Sequence, residues 1–134
     1  QIKELGLEKN IKLLGFKNTE ELNELYANSS IYIMTSYEES FGLVLLEAAS
    51  HGLPIIAYTS ALGAKEILKN NNGILIDKRN EKEMISNLNK LISDIKLRRK
   101  YSEKSLKISE EYSYDNIEKK VINFYKNIGG KHDK

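Results

Sequence analysis

The chain has 134 residues, of which 40% are apolar and 30% charged, and its formal net charge is +2. That size and balance suit one soluble globular domain and are too small for a second large core. Cysteine is absent, which excludes disulfides, thiol nucleophiles and Cys-ligated zinc or iron–sulfur centres, and no apolar run approaches the roughly eighteen residues of a membrane span.

No secretory signal is evident at Gln1, so a cytoplasmic location is expected. Residues 1–77 carry six Lys or Arg against ten Asp or Glu, and residues 78–134 carry fifteen against nine. The basic residues of the second half are interspersed with acids, which reads as a solvated helical surface. Contact with acidic lipid is the alternative. No nucleic-acid motif is present, and no nucleic-acid partner is expected.

Gln1 to Leu7 reads as the last turns of a helix, and Asn10 to Phe16 as a short strand carrying Ile11, Leu13 and Leu14. Thr19 can cap a following helix with Glu20 and Glu21 in its first turn, where the helix dipole favours them. Leu22, Leu25 and Tyr26 give that helix an apolar face. Ile31–Met34 reads as a buried strand, and Thr35–Ser40 as a polar loop. The helix from about Phe41 to Ser50 is apolar nearly all round, which predicts packing on both sides. Gly52 ends it, and Pro54 opens a strand over Ile55–Tyr58. A short helix around Ala64–Lys69 and a turn at Asn70–Gly73 lead to a strand over Ile74–Ile76.

Strand and helix alternate at about thirty residues or fewer per unit, the rhythm of parallel strands joined by helical crossovers. The fold class is therefore α/β: a Rossmann-like lobe, its mostly parallel sheet flanked by helices, with a C-terminal helical extension. In the extension Met84, Leu88, Leu91, Ile92 and Ile95 mark one face. Leu106 and Ile108 belong to a second segment, interrupted near Ser109–Ser113, and Ile117, Val121, Ile122, Phe124 and Tyr125 mark the last helix. The domain is expected over residues 1–128, with 129–134 a flexible basic tail.

The chemistry concentrates in Glu39-Ser40-Phe41-Gly42-Leu43-Val44, which follows the strand Ile31–Met34. Open parallel sheets bind ligands at the carboxyl ends of their strands. Gly42 lets a diphosphate approach the backbone closely. The N–H groups of Gly42, Leu43 and Val44 would be free at the helix start and would favour an anion. Neither a Walker lysine motif nor GxGxxG is present. Glu47 lies four or five residues beyond those amides and could grip a ribose diol; a helix-edge residue or an internal ion pair is the alternative. Glu39 could meet sugar hydroxyls. The arrangement points to a nucleotide-sugar site.

The run from Glu39 through Glu47-Ala-Ala-Ser-His-Gly-Leu-Pro54-Ile-Ile resembles the signature of retaining glycosyltransferases of family four, which have the two-lobed GT-B fold. Leu14-Gly15-Phe16, the segments 22–26 and 31–36, Glu66-Ile67 and Asn72–Ile76 extend the likeness along the carboxyl-terminal, donor-binding lobe. It covers residues 10–77 strongly and the final helices loosely. The resemblance implies transfer of a hexose from a nucleoside diphosphate sugar, a UDP-hexose foremost, to a hydroxyl acceptor with retention. Gly42, Leu43 and Val44 would contact the diphosphate, Glu47 the ribose and Glu39 the transferred sugar, with Phe16 and Lys17 bordering the base. It implies no metal and no tightly bound cofactor. The partners implied are an N-terminal acceptor-binding lobe, a carbohydrate or lipid-linked sugar acceptor, and peripheral contact with the inner face of the membrane.

Two departures stand out. No Lys or Arg occurs between Lys17 and Lys65, although the leaving diphosphate needs cations; the family's Arg/Lys pair lies ahead of the region matching the start of this chain. Without it the chain alone should bind donor weakly and not turn over. Leu62-Gly63-Ala64 replaces a commoner Gly-Gly opening, which either reshapes the sugar pocket or is neutral because Gly63 remains. Glu66 reads equally as a local helix residue or a pocket one.

Other residues read blandly. His51 suits a helix C-terminus, His132 lies in the tail, and Ser40 can cap the helix after it. Arg98-Arg99-Lys100 reads as solubilising charge, with lipid headgroups as the alternative. A lobe of a sugar-nucleotide epimerase or phosphorylase, or a noncatalytic interaction domain, remain the competing readings.

Overall fold

The computed structural model describes residues 1–36, 38–69, 71–77 and 80–129. Three strands, β1 (Tyr32–Met34), β2 (Ile55–Tyr58) and β3 (Ile74–Ile76), lie side by side in chain order and pair in parallel. Tyr32 faces Ile55 across one ladder and Ile56 faces Ile74 across the other. Parallel neighbours need a crossover between them. Helix α2 (Leu43–Ser50) connects β1 to β2, and α3 (Leu62–Ile67) connects β2 to β3.

β2 is buried on both faces, as expected for a central parallel strand. Alternation sends Ile55 and Ala57 to one side, where Leu45, Ala48, Ala49, Ile67 and Ile108 complete the larger core. Ile56 and Tyr58 point the other way and pack with Ile76, Met84 and Leu91. The sheet is thus covered by α2 and α3 on one face and by α4 (Glu81–Ser93) on the other.

Helix α5 (Ile95–Glu111) lies along α2. The Ser105 hydroxyl, wholly buried, donates to the Leu53 carbonyl oxygen at 2.6 Å and ties α5 to the loop before β2. α4 and α5 are separated by a single residue, Asp94, whose carboxylate accepts the N–H groups of Lys96 and Leu97. The expected continuous face through Ile92 and Ile95 therefore fails: both side chains are exposed. The interruption expected near Ser109 is shorter, falling at Tyr112 and Ser113, where α5 ends and α6 (Tyr114–Gly129) begins.

Helix α1 (Thr19–Ala27) is capped by Asn18, not Thr19. Asn18 Oδ1 accepts the Glu21 N–H at 2.9 Å and Glu21 Oε2 accepts the Asn18 N–H at 3.1 Å, a reciprocal capping box. Lys17, 2.7 Å from Glu21, and then the Asn18 N–H hold the Glu21 carboxyl below its usual range.

The strand expected over Asn10–Phe16 does not form, and Gln1–Leu7 forms turns rather than a helix. A strand exists only against a neighbour, and among the described residues none pairs with Ile11–Phe16. Leu13 and Phe16 are 86% and 94% exposed as a result. Among the described residues the outer edge of β1 is unpaired as well. α6 turns Val121, Phe124 and Tyr125 to solvent. Of the tail expected over 129–134, Gly129 belongs to α6 and the rest lies outside the described residues. No described helix is long and apolar enough to cross a membrane.

Candidate functional site

Beyond the carboxyl ends of β1 and β2, two loops frame a cavity of about 560 Å³ lined by Glu38, Glu39, Ser40, Ser60 and Leu62. Glu39 and Ser40 of its lining lead into the entry of α2. Gly42 has φ 84° and ψ 50°, a left-handed conformation that places it just ahead of the first helical residue, Leu43. The helix begins two residues later than expected because of this turn.

Glu39, rather than Ser40, serves the helix start: its Oε1 accepts the Gly42 N–H at 3.2 Å. The Leu45 N–H returns to the Gly42 carbonyl oxygen at 2.8 Å. The amides of Leu43 and Val44 find no acceptor among the described residues. Two of the three amides assigned to an anion are therefore open, and the third holds a carboxylate.

The loop is fixed from behind by α3. A Cβ on Gly63 would lie 1.9 Å from the Phe41 carbonyl oxygen, so only glycine permits this approach. The Gly63 N–H also points to the Glu39 carbonyl oxygen at 3.4 Å. Leu62 is 70% exposed and borders the cavity. Of the two readings of Leu62-Gly63, the structure joins them: Gly63 keeps the backbone approach, and Leu62 shapes the pocket wall. Glu66 faces solvent, paired with Lys69 at 2.6 Å, and does not line the cavity.

Glu47 is exposed on the flank of α2 that faces α1. It is not sunk in the core, and it does not line the cavity that holds Glu39. The Tyr26 hydroxyl donates to Glu47 Oε2 at 3.2 Å, and the Tyr26 and Tyr32 rings lie 6.0 Å apart. Both tyrosine pKa values are pushed up. Burial is the main cause at Tyr26, followed by Tyr32 and Glu47. At Tyr32 it is burial, then the negative charges of Glu47 and Glu39.

A raised folded-state pKa means that the native state holds these protons when the unfolded chain has lost them. The stabilisation is fully present below the unfolded value of 10.0 and disappears as pH rises through the folded values. Urea midpoints should hold between pH 7 and 9 and fall above about 10, and Tyr26→Phe should flatten the fall. A midpoint that stays constant as pH rises above about 10 would contradict the half-buried placement of these rings.

Phe16 and Lys17 are not brought to this loop. Phe16 stands in solvent, and Lys17 pairs with Glu21 beside a separate cavity of about 250 Å³ that Leu14 and Glu24 also line. Among the described residues no three His, Asp or Glu side chains converge as a metal site would require. Sequence reasoning missed Ser60 and Tyr26. Ser60, whose buried Oγ has no partner among the described residues, stands just past the carboxyl end of β2, a position that could have marked it. Tyr26 was read only as apolar face; nothing in its spacing signals the bond to Glu47. His51 does close α2, its Nδ1 lying 3.0 Å from the Glu47 carbonyl oxygen.

The sequence model described as glycosyl transferases group 1 matches residues 1–108. A glycosyltransferase of Methanocaldococcus jannaschii is 34% identical over 125 residues, 92% of this chain and 32% of that protein. The C-terminal domain of a group 1 glycosyl transferase from Francisella tularensis superposes with a TM-score of 0.72 at 32% identity, covering 83% of this chain and 57% of that one. HepE from Anabaena, in complex with UDP-glucose, gives a TM-score of 0.76 at 26% identity, covering 94% of this chain and 35% of HepE. The chain spans about a third of the length of the curated relatives it matches first. The α/β lobe, the ordered run from Glu39 to Ile56 and these likenesses agree: the chain belongs to the group 1 glycosyl transferases.

Proposed function

We propose that this chain is the donor-binding part of a longer, two-lobed retaining glycosyltransferase, moving a hexose from a nucleoside diphosphate sugar to a hydroxyl acceptor. The observation that carries the reading is the start of α2: open amides at Leu43 and Val44, a left-handed Gly42, and Glu39 beside them on the cavity wall. A diphosphate seated there meets backbone N–H groups and the positive end of the helix dipole. The hexose then occupies the cavity, with Glu39 ordering its hydroxyls, and Glu47 grips the ribose on the outer flank. Phe16 and Lys17 border the base only if their segment is drawn in by contacts this chain does not itself make.

Amides alone stabilise developing negative charge on the leaving diphosphate incompletely. The stretch from Lys17 to Lys65 supplies no cation, so the cations come from the remainder of the protein in this reading. The unpaired edge of β1, the exposed Ile11–Phe16 run and the apolar side of α6 fit contact with that remainder, including an N-terminal acceptor-binding lobe. UDP is the favoured nucleotide, because HepE, similar to this chain, binds UDP-glucose. The acceptor is a carbohydrate or a lipid-linked sugar, met in the cytoplasm at the inner membrane face, and the chemistry needs no metal.

Calorimetric titration of the full-length protein with UDP, GDP and their hexose conjugates tests the reading. Saturable binding of one series, and a product that keeps the donor's anomeric configuration, are expected. Absence of binding by every nucleotide would end it.

A further inference from the structure

A second cavity, of about 330 Å³, opens at the opposite, amino edge of the sheet. Ser29 and Ser30 border it just before β1, His51 and Gly52 at the end of α2, and Arg98, Arg99 and Ser102 from the first turns of α5. Its chemistry is one-sided. Two guanidinium groups, an imidazole and three hydroxyls line it, and no carboxylate does, although the chain carries 19 Asp and Glu against 21 Lys and Arg.

The geometry leaves these donors available. Arg98 Nη1 is committed to the carbonyl oxygens of Leu91 and Ile92, both at 2.7 Å. Those bonds close the end of α4 and hold the guanidinium in place while leaving its Nε and Nη2 hydrogens unspent. Arg99 makes no ion pair among the described residues. The Ser30 and Ser102 hydroxyls make no hydrogen bond among them either, whereas Ser29 Oγ donates to the Leu25 carbonyl oxygen. His51 Nδ1 lies 3.0 Å from the Glu47 carbonyl oxygen, which can only accept; with the hydrogen on Nδ1, Nε2 is an acceptor, so His51 is not one of these donors. Gly52 lets α5 come close: a Cβ there would sit 3.1 Å from Ser102 Oγ.

We infer that this cavity binds a phosphomonoester, as a site separate from the α2 amino terminus. A guanidinium fork held in place at Arg98 and a second, exposed one at Arg99 match the several acceptor oxygens of a dianionic phosphate better than one carboxylate. The volume stands at the small end of ligand pockets, roughly 300–1,000 Å³, which suits a phosphate with a short organic group and not a nucleotide sugar.

The test uses the full-length protein titrated by calorimetry with inorganic phosphate and with glycerol 1-phosphate, in the presence and absence of saturating UDP. Saturable binding unaffected by UDP is expected. Arg99→Glu should weaken it at least tenfold, whereas Lys65→Glu, on the other side of the fold, should leave it unchanged. Arg99 is exposed, so Arg99→Glu should keep the wild-type thermal midpoint. Flotation with vesicles containing phosphatidic acid separates two sources of the same chemistry. Arg99-dependent binding of the soluble phosphates alone assigns a free metabolite, and Arg99-dependent flotation as well assigns a lipid headgroup. No saturable phosphate binding, binding competed by UDP, or binding equally tight in Arg99→Glu would overturn the inference.

Discussion

Gly63→Ala is expected to destabilise the protein by about 3 kcal/mol, the upper part of the range for forced overpacking. The added methyl would stand 1.9 Å from the Phe41 carbonyl oxygen and 2.7 Å from its Cα. These are backbone atoms, so no rotamer change relieves the clash. α3 and the loop before α2 must separate. That loop carries Glu39 and delivers Gly42, so affinity for UDP should fall together with stability. Leu62→Ala is the matched control. It removes an exposed side chain from the cavity wall, and its urea midpoint should stay near wild type while any effect on binding is confined to the sugar-bearing donor. A Gly63→Ala protein with an unchanged midpoint at constant m-value would refute the packing of α3 against the loop.

Glu47→Ala should weaken UDP binding about 10- to 100-fold. A hydrogen-bonded charged group contributes about 1.5–3 kcal/mol, and about 1.4 kcal/mol is a factor of ten. Glu38→Ala, at an exposed position on the loop, should change it less than about twofold on the same scale. The sharper comparison uses 2′-deoxy-UDP. Wild type should discriminate against the deoxy nucleotide, and Glu47→Ala should bind both equally, because the hydroxyl has then lost its acceptor. Tyr26→Phe isolates the local part. It frees Glu47 from the 3.2 Å bond in the unliganded protein and should leave discrimination intact. Equal loss of both nucleotides in Glu47→Ala would assign Glu47 to the structure of the α1–α2 contact instead of the ribose.

The sheet was legible because its signals are local. Ile31–Met34, Ile55–Tyr58 and Ile74–Ile76 are short apolar runs set off by turn residues, and the helices between them dictate parallel pairing. Ile11–Phe16 carries the same local signal and forms no strand, since pairing depends on a neighbour that periodicity does not reveal. The break at Asp94 was hidden for another reason. Leu91, Ile92 and Ile95 continue at helical spacing across it, and a one-residue cap leaves no gap in the pattern.

At the site, the glycine turn ahead of α2 was legible from the motif, which also singles out Glu39 and Glu47. The partners of those glutamates were not. Ser40 ranks high as a helix cap, but the left-handed turn at Gly42 hands that task to Glu39. The bond between Tyr26 and Glu47 joins residues twenty-one apart in sequence, and the placement of α1 against α2 that creates it is a tertiary fact.

The carboxylate of Glu39 resting on the Gly42 amide takes one of the three N–H groups that the proposed reading gives to a diphosphate. On the proposed reading, a nucleoside diphosphate seated there would have to displace this tethered carboxylate from the Gly42 amide. Occupancy is therefore lowered by a constant handicap. The side chain so displaced is released into the cavity just when a sugar arrives there to be held.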